Sequence, residues 1–267
     1  MRKPGRYKVV GSYHVRGLNH VESAPVWISV QPRSDAEMAV YIEGLSAELA
    51  EMSDDEAHAD LICKLMYTYD ARAVPAIVEG MYKSHPSSRR AYHAFRYYMP
   101  DDQATIDALY AKGQERGLTN GMTSLLRTRG FTPEQIKVLI AVSLAPENEG
   151  AWRFGARAAE AHPDDRFTDR LIAIARGPMS FANGAALNAL ALNRTDESVA
   201  VLKEFLASDD DRMRRSAAHA IRSAYLYGQE GPGRPLRADD FDPIYHEFAK
   251  PVHHKVTKKI SNSSGTK

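Results

Sequence analysis

The chain has 267 residues, room for one large domain or two small ones at about 100–200 residues per domain, and with 43% hydrophobic residues it can bury a real core. Lys plus Arg number 35 against 34 Asp plus Glu, a formal charge of +1 that excludes a globally basic nucleic-acid binder or an acidic tail protein and leaves only local patches. The single cysteine, Cys63, excludes an intrachain disulfide and a cysteine-based zinc cluster, no apolar run is long enough to span a bilayer, and the start Met1–Tyr7 has basic residues without the apolar stretch of a secretion signal.

In chain order, residues 1–33 read as β structure. Pro4-Gly-Arg-Tyr-Lys-Val-Val-Gly-Ser-Tyr-His-Val15 alternates around Tyr and Val, Pro25-Val-Trp-Ile-Ser-Val30 is β-branched and aromatic, and Gly17-Leu-Asn-His-Val-Glu-Ser23 suits a hairpin loop. Two strands are marginal alone in water. The two segments resemble the last strands of a bacterial immunoglobulin-like β-sandwich, which implies that the chain is the C-terminal part of a longer architecture. The alternative is a hairpin that caps the first helices.

From Ser34 to Gly228 the pattern is helical and repeats. Apolar anchors recur at Leu45, Ile77, Leu109, Leu139, Leu171 and Leu202, spaced 32, 32, 30, 32 and 31 residues. A second series, Ala59, Ala91, Met122, Phe154, Ala185 and Ala217, is spaced 32, 31, 32, 31 and 32. Two series locked to one period predict six repeats of two helices each. Asp70, Asp101, Thr132, Asp164 and Thr195 open successive segments as helix-starting residues, and Ser34-x-x-Glu37, Ser53-x-x-Glu56 and Thr132-x-x-Gln135 fit capping boxes. Pro86, Pro100, Gly117, Gly130, Pro163, Gly177-Pro178 and Gly228 supply stops and turns. The second helix of each pair is rich in small residues, as in Ala182-x-x-Ala-Ala-x-x-Ala-x-Ala191, which permits close helix approach.

Asp196-Glu-Ser-Val-Ala-Val-Leu202 followed by Asp209-Asp-Asp-Arg-Met-Arg-Arg-Ser-Ala-Ala-His-Ala-Ile221 resembles a HEAT repeat of the short form found in phycobilisome-lyase-like bacterial proteins, and Asp70-x-x-Ala-Val-Pro-x-Ile77 matches the same opening. The resemblance covers about residues 34–228 and implies an all-α fold, a right-handed α-solenoid of about six helix pairs, used for binding other macromolecules. Similarity to envelope-associated proteins that join a sandwich to such repeats implies an extracytoplasmic bacterial setting. After Gly228 comes a Gly/Pro-rich linker, a short helix over 239–249, and a basic polar tail to Lys267 (domain 229–267).

Catalytic chemistry has little foothold. No phosphate-binding loop, dinucleotide fingerprint, hydrolase elbow or zinc-deaminase pattern is present. His253-His254 lacks further ligands, and His246-Glu247 is a single His-Glu pair where HEAT-like di-iron hydroxylases use several. No catalytic residue, metal ligand or cofactor is assigned. Cys63 reads as a structural thiol, and His58, His93 and His219 would form a row only if all three faced one groove.

The remaining signal is charge placement. Arg89, Arg90, Arg96, Arg127, Arg129, Arg153, Arg157, Arg212, Arg214, Arg215 and Arg222 fall on second helices, interleaved with Tyr92, Tyr97, Tyr98 and Trp152. One reading is structural: the resemblance implies a ladder pairing an Asp in the turn with an Arg in the second helix, which Asp209–Asp211 with Arg214 and Arg215 fit. The other is a concave groove that binds an acidic protein or peptide, with Arg90, His93, Tyr97, Arg153 and Arg157 as the contact residues. The rival class is a nucleic-acid-binding, DNA-glycosylase-like HEAT protein or a bilin-lyase-like protein. Trp152-Arg153 is compatible with the glycosylase, and the near-neutral charge argues against it.

Overall fold

The computed structural model describes residues 5–13, 21–30, 33–178 and 180–227, together with Gly233 and Leu236. The helix expected over 239–249, His246-Glu247 and His253-His254 lie outside the described residues.

The chain opens with strands β1 (Gly5–Val9), β2 (Ser12–Tyr13), β3 (Val21–Glu22) and β4 (Val26–Val30). β1 pairs antiparallel with β4, with Gly5 opposite Val30 and Val9 opposite Val26, and β2 pairs with β3. Strand alternation puts Tyr7, Val9, Val26 and Ile28 on one face and Arg6, Lys8, Trp27 and Ser29 on the other. Arg6 lies 4.8 Å from the centre of the Trp27 ring. All eight side chains are exposed.

The rest of the described chain is helical, with twelve α-helices. They are α1 (Asp35–Glu51), α2 (Asp55–Met66), α3 (Val74–Gly80), α4 (His85–Tyr97), α5 (Gln103–Arg116) and α6 (Asn120–Leu125). Then follow α7 (Pro133–Leu144), α8 (Trp152–Ala161), α9 (Thr168–Arg176), α10 (Phe181–Asn193), α11 (Asp196–Leu206) and α12 (Asp211–Tyr227). Short 3₁₀ turns at Ala71–Ala73, Pro146–Ala151 and Asp165–Phe167 lead into α3, α8 and α9.

Local capping explains where the helices begin. Ser34 and Glu37 form a reciprocal capping box at α1. The Asp70 carboxylate accepts from the Arg72 amide, Asp102 from Thr105, Thr132 from Gln135, Asp164 from Arg166, and Thr195 from Ser198. Each acceptor satisfies an amide that has no partner inside its helix, and these caps recur with the spacing of the apolar anchors. Two details differ from the sequence expectation. Asp102 rather than Asp101 carries the third cap, and at α2 the cap is Asp54, which accepts from the Ala57 amide at 2.8 Å, rather than Ser53. In both places adjacent residues offer oxygens, and the chain uses the one that meets the third amide along.

The chain divides into two compact units, one of residues 1–115 and 119–136 and the other of 116–118 and 137–267. In the first, α4 packs beside α2 and α6, and Ile62, Leu65, Ala91, Phe95, Met122 and Leu125 are almost wholly removed from water. In the second, α10 packs beside α8 and α12 as well as against α9 and α11. Its core is small-residue rich: Ala156, Ala159, Ala186, Ala189 and Ala217 are buried, as are Leu171, Leu190 and Leu202. All six leading anchors are buried, as are Ala59, Ala91, Met122, Ala185 and Ala217 of the second series, while Phe154 is half-buried. Phe154 yields the inner position to Gly155, where an added Cβ would lie 2.8 Å from Ser143 Cβ.

Candidate functional site

In the first unit, α4 buries Ser87, Ala91, Ala94 and Phe95. That stripe recurs every third or fourth residue, so the opposite side of the helix must meet solvent. The outer side carries Arg89, Arg90, His93, Arg96 and Tyr97, and no carboxylate occurs anywhere in α4. The aromatic rings form a chain of edge contacts. Tyr92 and His93 are 5.6 Å apart, His93 and Tyr97 5.9 Å, and Tyr97 and Tyr98 6.5 Å between ring centres. Tyr98 continues to Tyr67 at 5.4 Å and Tyr69 at 5.8 Å, in the turn that follows α2. The Arg96 guanidinium sits 5.3 Å from the Tyr97 ring and 5.8 Å from Tyr92, and donates to the Tyr92 hydroxyl.

Tyr67 is 59% and Tyr97 63% exposed, so the rings cover one another edge to edge while leaving much of their surface to water. Tyr69 has φ +56°, the left-handed region that a bulky side chain adopts at a cost of about 1–2 kcal/mol. The turn is held by Thr68, whose hydroxyl donates to the Leu65 carbonyl at 2.6 Å and accepts from the Asp70 amide at 3.3 Å. Tyr98 has its phenol raised above the ordinary range, chiefly by Tyr67 and then by desolvation.

Of the five residues proposed from sequence, the structure brings His93 and Tyr97 into ring contact, with Arg90 exposed on the same helix one turn before His93. Arg153 and Arg157 belong to the second unit, on α8, and both are exposed. Arg153 stacks over Phe181 at 5.1 Å from the ring centre, and Phe181 is 74% exposed. Tyr67, Tyr69 and Phe181 escaped the sequence reading. The Tyr67-Thr-Tyr69 pair immediately before the cap Asp70 was the available signal.

The other chemistry-bearing residues are absorbed by structure. His58 is buried, and its Nδ1 lies 2.9 Å from Ser87 Oγ, so it does not join a row with half-buried His93 and exposed His219. Burial, followed by the charge of Lys83, holds the His58 imidazole below its ordinary pKa. Burial pushes the Cys63 thiol up, the direction of an inert thiol. Trp152 donates its indole N–H to the Ala145 carbonyl at 2.8 Å and lies under the Arg170 guanidinium. Asp211 pairs with Arg214 at 2.6 Å and Arg215 at 2.5 Å within its own helix. Ion pairs between different helices are made elsewhere: Arg72, in the turn before α3, reaches Asp35 of α1, and Arg176 of α9 reaches Glu204 of α11. Among the described residues no group of three or more His, Cys, Asp or Glu is placed to hold a metal, and no helix is long and apolar enough to cross a membrane.

Comparison with protein-family models, with curated proteins and with solved structures finds no match to this chain.

Proposed function

We propose that the chain is a non-enzymatic HEAT-like repeat scaffold, an α-solenoid of helix pairs, that binds an acidic protein segment. Twelve helices among the described residues, four sets of consecutive neighbours in contact (α1 with α2, α3 with α4, α9 with α10, α11 with α12), and caps and buried anchors at a common spacing support the repeat reading. The observation that carries the binding reading is the outer side of α4: exposed Tyr97 in ring contact with half-buried His93 and Tyr98, the Arg96 guanidinium beside its ring, and no carboxylate on the helix. Tyr and Arg are the side chains that anchor protein interfaces, because each offers a large rigid surface and a polar end. The basic residues Arg89, Arg90 and Arg96 favour a partner rich in Asp and Glu. The total charge of +1 favours protein over a nucleic-acid backbone, whose capture rests on many phosphate contacts.

The test is selection of displayed peptides on the immobilised protein, with the winners resynthesised and titrated. Winning peptides should be acidic with an apolar or aromatic residue, and should bind the Arg96→Ala/Tyr97→Ala variant about tenfold more weakly, a loss of about 1.4 kcal/mol. Both side chains are exposed, so the variant should melt with the wild type. Peptides with no acidic bias, or ones that bind the variant as tightly, would defeat the proposal.

A further inference from the structure

In the second unit, α10 and α12 lie side by side and enclose a shallow depression of about 390 Å³. Among the described residues its lining is Gly184 and Asn188 from α10, with Asp211, Arg212, Arg215, Ser216 and His219 from α12. The spacing accounts for the convergence. Gly184 and Asn188 are one turn apart, and Arg212, Arg215, Ser216 and His219 follow the three- and four-residue steps of one helix face.

Four features set this depression apart from an ordinary charged surface. Its polar groups are ones that hold oxyanions: two guanidiniums, a hydroxyl, an amide and an imidazole. Among the described residues, the side chains of Asn188, Arg212, Ser216 and His219 make no hydrogen bond or ion pair with the protein. The one carboxylate, Asp211, is held by both Arg214 and Arg215, and Arg214 lies outside the lining, so its cation offsets Asp211 without occupying the depression. Finally, Gly184 stands inside α10, where glycine is unfavourable relative to alanine, and a Cβ there would meet nothing within 4 Å. No packing contact in the protein requires a glycine at that position. What its missing side chain does provide is room in the wall of the depression.

We propose that this depression binds a phosphoryl group, with Arg212 and Arg215 as charge-bearing donors, Ser216, Asn188 and His219 as hydrogen-bonding partners, and Gly184 leaving space for the group. Planar guanidiniums suit the paired oxygens of a phosphoryl dianion, and the arginine pair favours it over a singly charged carboxylate. The group can arrive as free phosphate or on a phosphorylated side chain, and both present the same oxygens. This site lies in the other unit from the α4 tyrosines, and its success or failure is independent of theirs.

The experiment is a titration of the full isotope-labelled chain by amide NMR. The probes are inorganic phosphate, a phosphoserine peptide, the same peptide unphosphorylated, and sodium chloride at matched ionic strength. The expected result is a saturable shift at Gly184, Ser216 and His219 with phosphate and with the phosphopeptide, and none with the other two. Tighter binding of the phosphopeptide assigns the source to a modified protein, and equal binding assigns it to free phosphate. Arg212→Gln/Arg215→Gln should weaken binding at least tenfold. Gly184→Ala should weaken it severalfold while raising the melting temperature, which separates loss of space from loss of fold. Shifts that do not saturate, that chloride reproduces, or that survive the double substitution would overturn the assignment.

Discussion

Asn183 offers the most decisive test of how the second unit is held together. It is buried, and its side chain faces two ways. Oδ1 accepts from the Ser180 amide at 2.5 Å and completes the cap of α10. Nδ2 lies within hydrogen-bond distance of the carbonyls of Ile174, Ala175 and Gly177 at 2.9, 3.0 and 3.2 Å, at the end of α9, where Ile174 also accepts from the Gly177 amide at 3.1 Å. Asn183→Ala removes both functions. A lost cap costs about 0.5–2 kcal/mol and a buried acceptor left unsatisfied about 1–3 kcal/mol, so a loss of about 2–4 kcal/mol is expected. Asn183→Asp has nearly the same shape and keeps the capping oxygen, yet it points a carboxylate at three carbonyl oxygens. It should therefore be worse than alanine at neutral pH, by about 1–2 kcal/mol, unless it is protonated. Protonation restores a donor, so the folded state raises the pKa of the new carboxyl. A raised folded pKa means stability is fully present below the ordinary carboxyl range and is lost as pH rises through the folded value. Urea unfolding at pH 7 and at pH 5, followed by circular dichroism, reads both effects as midpoints. An Asn183→Asp variant as stable as wild type, or one whose deficit does not shrink on acidification, would show that the donor to the α9 carbonyls is not what makes this residue matter.

Three further variants can be weighed by the same kind of accounting. Gly184→Ala should stabilise by about 0.4–1 kcal/mol, since nothing lies within 4 Å of the added Cβ and the unfolded chain loses freedom. Gly117→Ala should destabilise by about 1–2 kcal/mol, because φ there is +76° and the new Cβ would lie 2.8 Å from that of Ala151. Thermal melts of the two variants should move in opposite directions, and a shared direction would refute the backbone argument. Asp164, bonded first of all by Arg166, has its carboxyl lowered to about 2. A depressed folded pKa contributes stability above the ordinary carboxylate value that is lost as pH falls, here about 1–2 kcal/mol between pH 4 and 2 after allowance for the exposure of Arg166. Asp164→Asn should show a correspondingly flatter acid limb in unfolding midpoint against pH.

What could be read from the sequence was whatever is decided within a few residues. Caps at Asp70, Thr132, Asp164 and Thr195 are local chemistry: a side-chain oxygen and an amide two or three positions on. Buried anchors at Ile77, Leu109, Leu139, Leu171 and Leu202 follow from periodicity alone. Where two neighbouring residues offered equivalent oxygens, as at Ser53 and Asp54 or Asp101 and Asp102, composition could not choose, and the cap moved by one. The candidate site was legible in part. His93 and Tyr97 share a helix face by spacing, and they do meet. Tyr67 reaches the same cluster from the C-cap of α2, which packs beside α4, and Tyr69 reaches it from a left-handed turn, and nothing in a helical pattern announces a positive φ at tyrosine.

The arginines show why charge placement read from sequence divides into different roles once side chains have neighbours. Arg129 is nearly buried, bonding the Pro100 carbonyl at 2.9 Å and the Met99 carbonyl at 3.2 Å and pairing with Asp101 at 3.1 Å. Arg170 bonds the Leu144 carbonyl and covers Trp152. These two tie loops and helix ends to their neighbours, and replacing either would read as lost stability. Arg96, Arg153 and Arg212 are exposed, the first two with their charge over aromatic rings and the third in the α10–α12 depression. An exposed arginine contributes little to folding, so its removal should leave melting unchanged and register only in binding. A row of arginines is therefore not one feature. The criterion that separates scaffold from surface is whether the guanidinium ends on a backbone carbonyl, as in Arg129 and Arg170, or on a ring or depression open to solvent.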